Sequence, residues 1–404
     1  MSTSLLYHGF GLIGYYYHSA KYVKGKVIFT LSKDLSKLEC PECRSKSLTR
    51  RGTVDRLFKT LPIGKKQILL HVPIHRIECN QCGCLKQEKI NFADPKKTYT
   101  HSFKRYVLEL SKLTTIKHVA QHLGLSWDTV KEIQKEYLHR HFGKPRLKGL
   151  RYLAIDEISI GKKHKYLTIV YDLLVGAVVF IGDGKGADAL DPFWPSLKRS
   201  GACIEAVSID MSPAYIEAVR CNLPKATVVF DHFHVIKYFN DRLSEFRRQL
   251  YHETKDAQEK QILKGTRWLL LKNPDNLIEK NREREHLEEA LRINKPLATA
   301  YYMKEELRQI WNQPSKSEAK KLLSHWIAKA RKSEIRMLAK FSNTISAHRT
   351  GILAYYDYRI STGPLEGTNN KIKTLQRQSY GFRDKEFFKL KILAIHQSEY
   401  ALIG

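Results

Sequence analysis

The spacing of hydrophobic and polar positions changes several times along the chain, and each change marks a predicted element. Residues 1–38 alternate aromatic and polar positions (Tyr15, Tyr17, Tyr22, then Val27, Phe29, Leu31) around Lys24-Gly25-Lys26, the pattern of a small β-hairpin. Strand-like segments follow at 57–61 and 67–77. From 102 to 137 the period becomes helical: Phe103, Val107 and Leu110 share one apolar face, and two further helices flank Gly124. Short apolar runs return at 152–155, 166–171 and 177–181. A helix is expected near 188–198, then a strand over 206–209 ending at Asp210, and a helix from Ser212 with Pro213 in its first turn. A strand over 227–230 ends at Asp231. Residues 236 to about 349 are helical and charged, and a last helix starts near Thr362 with Pro364 in its first turn.

Three consecutive strands, helix, strand, helix, strand is the order of a ribonuclease-H-like mixed sheet. A doubly wound sheet also alternates strands and helices, but its strands are parallel, and an opening antiparallel meander argues against it. The expected fold is therefore multidomain α/β: a ribonuclease-H-like core with an all-helical insertion, preceded by a zinc-ribbon-like module and a helix-turn-helix. The boundaries expected are 1–90 for the hairpin and ribbon, 91–141 for the helix-turn-helix, 142–150 for a basic linker, and 151–398 for the core. The insertion is placed at about 240–350.

Charge adds a partner. Lysine and arginine number 70 against 41 acidic residues, a formal net charge of +29 over 404 residues. Such an excess is hard to explain without a polyanion, nucleic acid first. Residues 1–150 carry 28 basic and 11 acidic side chains, so the front end is the more cationic part. No apolar run approaches the ~20 residues needed to cross a bilayer. The N-terminus lacks a basic stretch and a cleavage site, so a cytoplasmic protein without a membrane role is expected.

Four of the seven cysteines form two pairs, Cys40-Pro-Glu-Cys43 and Cys79-Asn-Gln-Cys82, separated by 35 residues. Two knuckles from separate hairpins offering four thiolates to one structural zinc is the favoured reading; free buried thiols or a redox pair are the alternatives. Cys84 is a possible substitute ligand, and Cys203 and Cys221 read as buried thiols. In the helical segment, Ala120 is small where helices cross, Gly124 permits the turn, Ser126 can cap the next helix, and Val130 and Ile133 face inward. Trp127, Asp128, Thr129 and Lys131 are then offered to the major groove, although a helical hairpin without DNA has the same pattern.

Three acids carry the candidate chemistry. Asp156 and Asp210 each follow a short apolar run and read as the polar ends of buried strands, where a carboxylate is costly unless it is paired or holds a cation. Glu366 opens the last helix, with Asn369, Asn370 and Lys373 on its face and Leu365, Ile372 and Leu375 opposite. Lys373 is either a phosphate contact or a solvated lysine. Asp231-His232-Phe233-His234 clusters a carboxylate and two imidazoles beside the acids, for a catalytic or a structural role. Of Trp268, Trp311 and Trp326, most read as core and one as a candidate for stacking on an unpaired base. Gly182–Gly186 lacks phosphate-loop spacing and reads as a turn, so no nucleotide cofactor is expected.

The blocks AIDEISIGKKHKYLTIVYDL, SIDMSPAY, FDHFHVIK and GPLEGTNNKIK, together with the cysteine module and the helix-turn-helix, resemble the ISL-three group of bacterial insertion-sequence transposases, in the Asp-Asp-Glu superfamily. The resemblance covers nearly the whole chain. It implies a catalytic triad of Asp156, Asp210 and Glu366 holding two magnesium (or manganese) ions, with Asp156 bridging both, and one structural zinc on Cys40, Cys43, Cys79 and Cys82. It implies cleavage and transfer of DNA strands, with double-stranded terminal inverted repeats and target DNA as partners. It further implies a homodimer or larger assembly on DNA and a bacterial, nucleoid-associated location. The rivals are a non-catalytic DNA-binding regulator, such as a domesticated transposase, and a host repair or junction nuclease.

Overall fold

A computed structural model describes residues 5–161 and 165–397, in two compact units that divide after Gly143. The first and last residues of the expected domains, 1 and 398, and positions 162–164 of the first catalytic block lie outside the described residues.

In the first unit a short helix α1 (Leu5–Phe10) precedes strands β1 (Tyr15–Val23), β2 (Lys26–Lys33), β3 (Leu48–Ile63), β4 (Lys66–Cys79) and β5 (Leu85–Gln87). They form one sheet in the order β1-β2-β4-β3, with β5 on β4. The expected hairpin turns at Lys24-Gly25, both with positive φ (47° and 76°), the geometry that matches strand twist in a two-residue turn. It is part of the sheet, because β2 pairs with β4 in parallel. The windows at 57–61 and 67–77 are pieces of the long β3–β4 hairpin. Alternate residues of β4, Ile68, Leu70, Val72 and Ile74, are buried against Phe10, Leu31, Phe58 and Phe92.

Three helices complete this unit: α2 (His101–Leu110), α3 (Ile116–Leu123) and α4 (Trp127–Phe142). Thr100, Thr115 and Ser126 cap them, each side chain accepting from the N–H three residues on. Gly124 ends α3 at φ 56°, and a Cβ there would meet the Gln67 amide at 2.6 Å. The ribbon and the helices lie in the same compact unit, which runs to Gly143. Lys59 of β3 donates from Nζ to the carbonyls of Leu123 (2.5 Å) and Gly124 (2.9 Å), at the negative end of α3. Its backbone also exchanges hydrogen bonds with Thr98 and Thr100. The expected linker is shorter than 142–150, since α4 continues to Phe142 and Leu147 and Leu150 pack into the core of the second unit.

The second unit opens with β6 (Tyr152–Gly161), β7 (Lys165–Asp172) and β8 (Ala177–Asp183), then α5 (Phe193–Ser200), β9 (Ala206–Ile209), α6 (Pro213–Asn222) and β10 (Thr227–Phe230). The sheet order is β10-β9-β6-β7-β8: an antiparallel meander extended by two parallel strands, the ribonuclease-H-like topology. The helix expected at 188–198 is interrupted, with a single tight turn at Ala187–Leu190 and α5 beginning after Pro192, whose missing N–H suits a helix start.

From β10 the chain passes directly into the insertion: α7 (His232–Glu253), α8 (Ala257–Gly265), α9 (Glu283–Ile293), α10 (Lys295–Arg308), α11 (Lys316–Lys332), α12 (Arg336–Ala347), α13 (Arg349–Leu353) and α14 (Tyr355–Tyr358). The chain then returns through α15 (Gly363–Gln378) and α16 (Lys385–Leu393). One face of the sheet packs on α5, α6 and the insertion, and the other on α15 and α16. Gly351 lets α13 lie against β10, where a Cβ would meet the Phe230 ring at 2.5 Å. Trp326 is fully buried, its indole N–H on Met303 O, and Trp311 is nearly so; Trp268 is 64% exposed beneath the Arg267 guanidinium.

Candidate functional site

The cysteine cluster is built by two matching backbone turns. In each, the N–H of the residue after the second cysteine donates to the carbonyl of the first: Arg44 to Cys40 (3.0 Å) and Gly83 to Cys79 (2.9 Å). Arg44 and Gly83 both have positive φ. The two knuckles meet because β3 and β4 pair Leu48 with Cys79 at the far end of their hairpin. The four sulfurs all lie within 4.8 Å of one another, with Cys40 and Cys82 3.6 Å apart and Cys43 and Cys79 3.5 Å apart. A tetrahedral zinc with bonds of about 2.3 Å requires sulfur separations of about 3.8 Å, so the donor set fits. Backbone N–H groups, that of Cys82 first, pull the Cys79 thiol down to about 6, and those of Cys43 and Glu42 lower Cys40, while burial and the neighbouring sulfurs raise Cys43 and Cys82. Cys84 lies outside the cluster and serves it through its carbonyl, which accepts from Cys79 N. Cys203 and Cys221 are exposed, contrary to expectation.

The acidic residues assemble by strand register. Tyr152, Leu153 and Ala154 of β6 pair with Ala206, Val207 and Ser208 of β9, and two residues further on this register sets Asp156 beside Asp210. On the other side of β9, Phe230 pairs with Ile209, which sets Asp231 at the same level. Three aspartates thus cross neighbouring strands in a row. Asp156 is not the end of its strand: β6 continues to Gly161, paired with β7 alone, because β9 stops one residue before Asp210 and leaves that edge open. Burial raises the Asp156 carboxyl above its ordinary value; the Asp210 charge adds to this, against the pull of His234, the Glu157 N–H and Lys237. Asp210 is half-buried and accepts from Ser212 N at 2.9 Å, which fixes the turn into α6.

Glu366 stands in the first turn of α15, exposed and without a side-chain partner among the described residues. Among those residues the four cysteines are the group whose ligand atoms all gather within 4.8 Å; the three acids do not form such a group. α15 is linked to β6 by Asn369, one turn after Glu366, whose Nδ2 donates to Asp156 Oδ2 at 2.9 Å, and by Gln376, whose side-chain amide donates to the Ile160 carbonyl. Asn369 is buried while Asn370, named from the sequence, is exposed with Lys373. Leu365, Ile372 and Leu375 are buried opposite, as the helical period predicts.

The Asp231-His232-Phe233-His234 cluster divides between two tasks. Asp231 is buried, caps α7 by accepting from Phe233 N (3.4 Å), and accepts from the Thr362 hydroxyl at the start of α15. Burial works to raise this carboxyl but is outweighed by its bonds to His232 and Thr362 and the charge of the imidazoles, so it stays low and ionised. His232 lies over this contact, its Nδ1 3.2 Å from Asp231, against Trp311 and Tyr355. His234 and, one turn on, Lys237 place their charge near Asp156. Asp231 and His232 therefore position α15, and His234 faces the acids.

Sequence reasoning missed Asn369 as the Asp156 partner, Thr362, and Glu157. Glu157 points to the opposite face of β6 from Asp156 and hydrogen-bonds Tyr215, which also contacts Thr168 (3.1 Å) and Gly186 N (3.2 Å). The turn at Gly182–Gly186 is thus tied down by a tyrosine, with no phosphate-loop geometry. Only the run Asp-Glu hinted at this second half-buried acid.

On α4, Trp127 and Asp128 are exposed; Thr129 is half-buried, bonded to the capping Ser126. Lys131 is half-buried too, over the Trp127 ring (5.3 Å) and 3.6 Å from Asp128, so it is less free for a groove than its position suggested.

A four-thiolate ribbon, a helix-turn-helix, and a ribonuclease-H-like sheet with aligned aspartates define the class of DNA transposases. Comparison with known proteins makes this particular. Residues 153–392 match the ISL3 family described as "Transposase", 88–138 match "Helix-turn-helix domain of transposase family ISL3", and 37–82 match "zinc-finger of transposase IS204/IS1001/IS1096/IS1165". The transposase for insertion sequence element IS1001 of Bordetella parapertussis is 33% identical over 358 residues, 88% of each chain. That for IS1557 of Mycobacterium tuberculosis is 27% identical over 372 residues, 86% of this chain and 83% of its own. The Drosophila P element transposase strand transfer complex superposes with a TM-score of 0.40 at 10% identity, over 74% of this chain and 93% of that one. The chain belongs to the ISL3 family of insertion-sequence transposases. Among the described residues no helix is long and apolar enough to cross a membrane.

Proposed function

We propose that this transposase binds the terminal inverted repeats of its element through the front unit, and cuts and joins DNA at a centre formed by Asp156, Asp210 and Glu366. The observation that carries the reading is the register that aligns Asp156 with Asp210 where β9 ends and leaves an edge of β6 open, with α15 tethered to Asp156 through Asn369. The donor set suits divalent metal: two half-buried carboxylates side by side, and a buried Asn369 Oδ1 that has no hydrogen-bond partner. Asp156, Asp210 and Glu366 would hold magnesium or manganese, which when bound activates the attacking hydroxyl and neutralises the leaving oxygen. One structural zinc belongs to Cys40, Cys43, Cys79 and Cys82.

The residues around the centre orient and balance charge. Asn369 donates to one oxygen of Asp156, and the Glu157 N–H also bonds this carboxylate. The Thr362–Asp231 bond sets the start of α15, and hence where Glu366 reaches. His234 and Lys237 offset the charge of Asp156, and Lys373, exposed on α15, would contact a phosphate. In the first step water breaks a P–O bond at the element's end and leaves a 3′-hydroxyl. In the second, that oxygen forms a bond to a target phosphorus as the target's own 3′-oxygen leaves. Both ends of an element must be held together, so at least two protomers act on one DNA, in the cytoplasm at the nucleoid.

The test compares Asp156→Ala with wild type on a labelled duplex carrying the element end. Cleavage is lost and binding retained if the residue holds metal; loss of both assigns Asp156 a structural role.

A further inference from the structure

The parallel pairing of β2 with β4 brings two hairpin turns to the same end of the front sheet. Lys26 pairs with Gln67 and Val27 with Ile68, so the turn at Lys24-Gly25 lies beside the turn at Gly64-Lys65. We propose that this end, through Lys24, Lys26, Lys65 and Lys66, is a second DNA-contacting surface. It would grip the phosphate backbone next to the helix-turn-helix without reading sequence. The inference rests on the reading that the front unit binds DNA.

Four observations support it. First, the segments that make this end, 15–33 and 56–77, contain no acidic residue. Second, Lys24, Lys26, Lys65 and Lys66 are exposed and form no ion pair among the described residues; Lys66 lies over the exposed ring of Tyr22, 5.2 Å from its centroid. Folding gains nothing from gathering like charges, and Lys26 is close enough to add to the burial that lowers the Lys59 amine. Third, the patch adjoins the recognition element. Strand alternation puts Lys26, Gln67 and Lys59 on one face, and Lys59 and Gln67 hold the turn between α3 and α4 by its carbonyls. A cleft of about 360 Å³ lined by Lys59, Lys65, Gln67 and His122 runs between the hairpin end and the helices. Fourth, the chemistry suits a phosphodiester chain: lysines are flexible point charges that position a duplex, while base edges are left to α4.

The experiment is a salt titration of binding by the full chain, zinc loaded, to a duplex carrying the element end and to an unrelated duplex of equal length. Wild type is compared with Lys26→Ala/Lys65→Ala/Lys66→Ala and with the same three positions changed to Arg. Each phosphate that a lysine no longer neutralises lowers the slope of log K against log salt by about 0.9, so the alanine variant is expected to lose up to about 2.7. It should weaken both duplexes by the same factor, while the arginine variant keeps the wild-type slope. An unchanged slope in the alanine variant overturns the inference, as does a loss confined to the element end. Absence of salt-dependent binding by wild type itself overturns the DNA-binding reading, and this inference with it.

Discussion

The two candidate metal centres of this chain are assembled in opposite ways. The four cysteines come from two short turns at one end of one hairpin, and their sulfurs already lie within 4.8 Å of each other. Backbone N–H donors within each knuckle set the geometry, so little beyond the β3–β4 pairing is needed. The acids come from β6, the end of β9 and the start of α15, with the helical insertion between the second and third. Like charges there repel until a cation or a proton separates them, and Glu366 stays exposed. In the hairpin the fold itself gathers the donors; for the acids, which are like charges from distant segments, the proposal is that a bound cation gathers them.

The comparison is broken most severely by removing one acid. Asp156→Asn keeps the shape of the side chain and its contact with Asn369 but halves the charge shared with Asp210; cleavage of an element-end duplex should fall to background with the melting temperature unchanged or raised. Next is the ribbon. Cys79→Ser, or zinc chelation, should unfold the knuckles and weaken DNA binding through the shared packing of Lys59 on α3, while the melting of the second unit stays put; calorimetry with a binding assay separates the two. Asn369→Ala sharpens the contrast from the acidic side. It removes the hydrogen bond that ties α15 to Asp156 and should lower cleavage by about 10–100-fold without affecting DNA affinity. Smallest is Gly124→Ala, which places a Cβ at positive φ against Gln67 and should cost on the order of 1 kcal/mol of the front unit alone, read by chemical denaturation.

Legibility in the sequence follows the same division. Local signals were sufficient for the knuckles, for the cap at Ser126, for β9 and β10, and for the buried stripe Leu365, Ile372 and Leu375, because spacing and turn chemistry act over a few residues. The strand order was also recoverable, since a meander followed by two helix-linked strands has few solutions. What could not be read depends on pairing across long separations. Neither the parallel contact of β2 with β4, which joins hairpin to ribbon, nor the contact of Lys59 with the turn after α3 leaves a periodic trace. Nor does the choice of Asn369 over Asn370, which turns on the rotation of α15 against β6. The extension of β6 past Asp156 was hidden because the acidic pair Asp156-Glu157 interrupts its apolar run.

The central claim is that Glu366, isolated in the fold, completes the acidic centre. The direct measurement is strand cleavage and joining of a labelled element-end duplex with magnesium, comparing wild type with Glu366→Gln at equal DNA occupancy. Wild type should carry out both reactions and the variant neither. Wild-type activity in Glu366→Gln, or specific binding by wild type with no cleavage under any divalent metal, would contradict the claim.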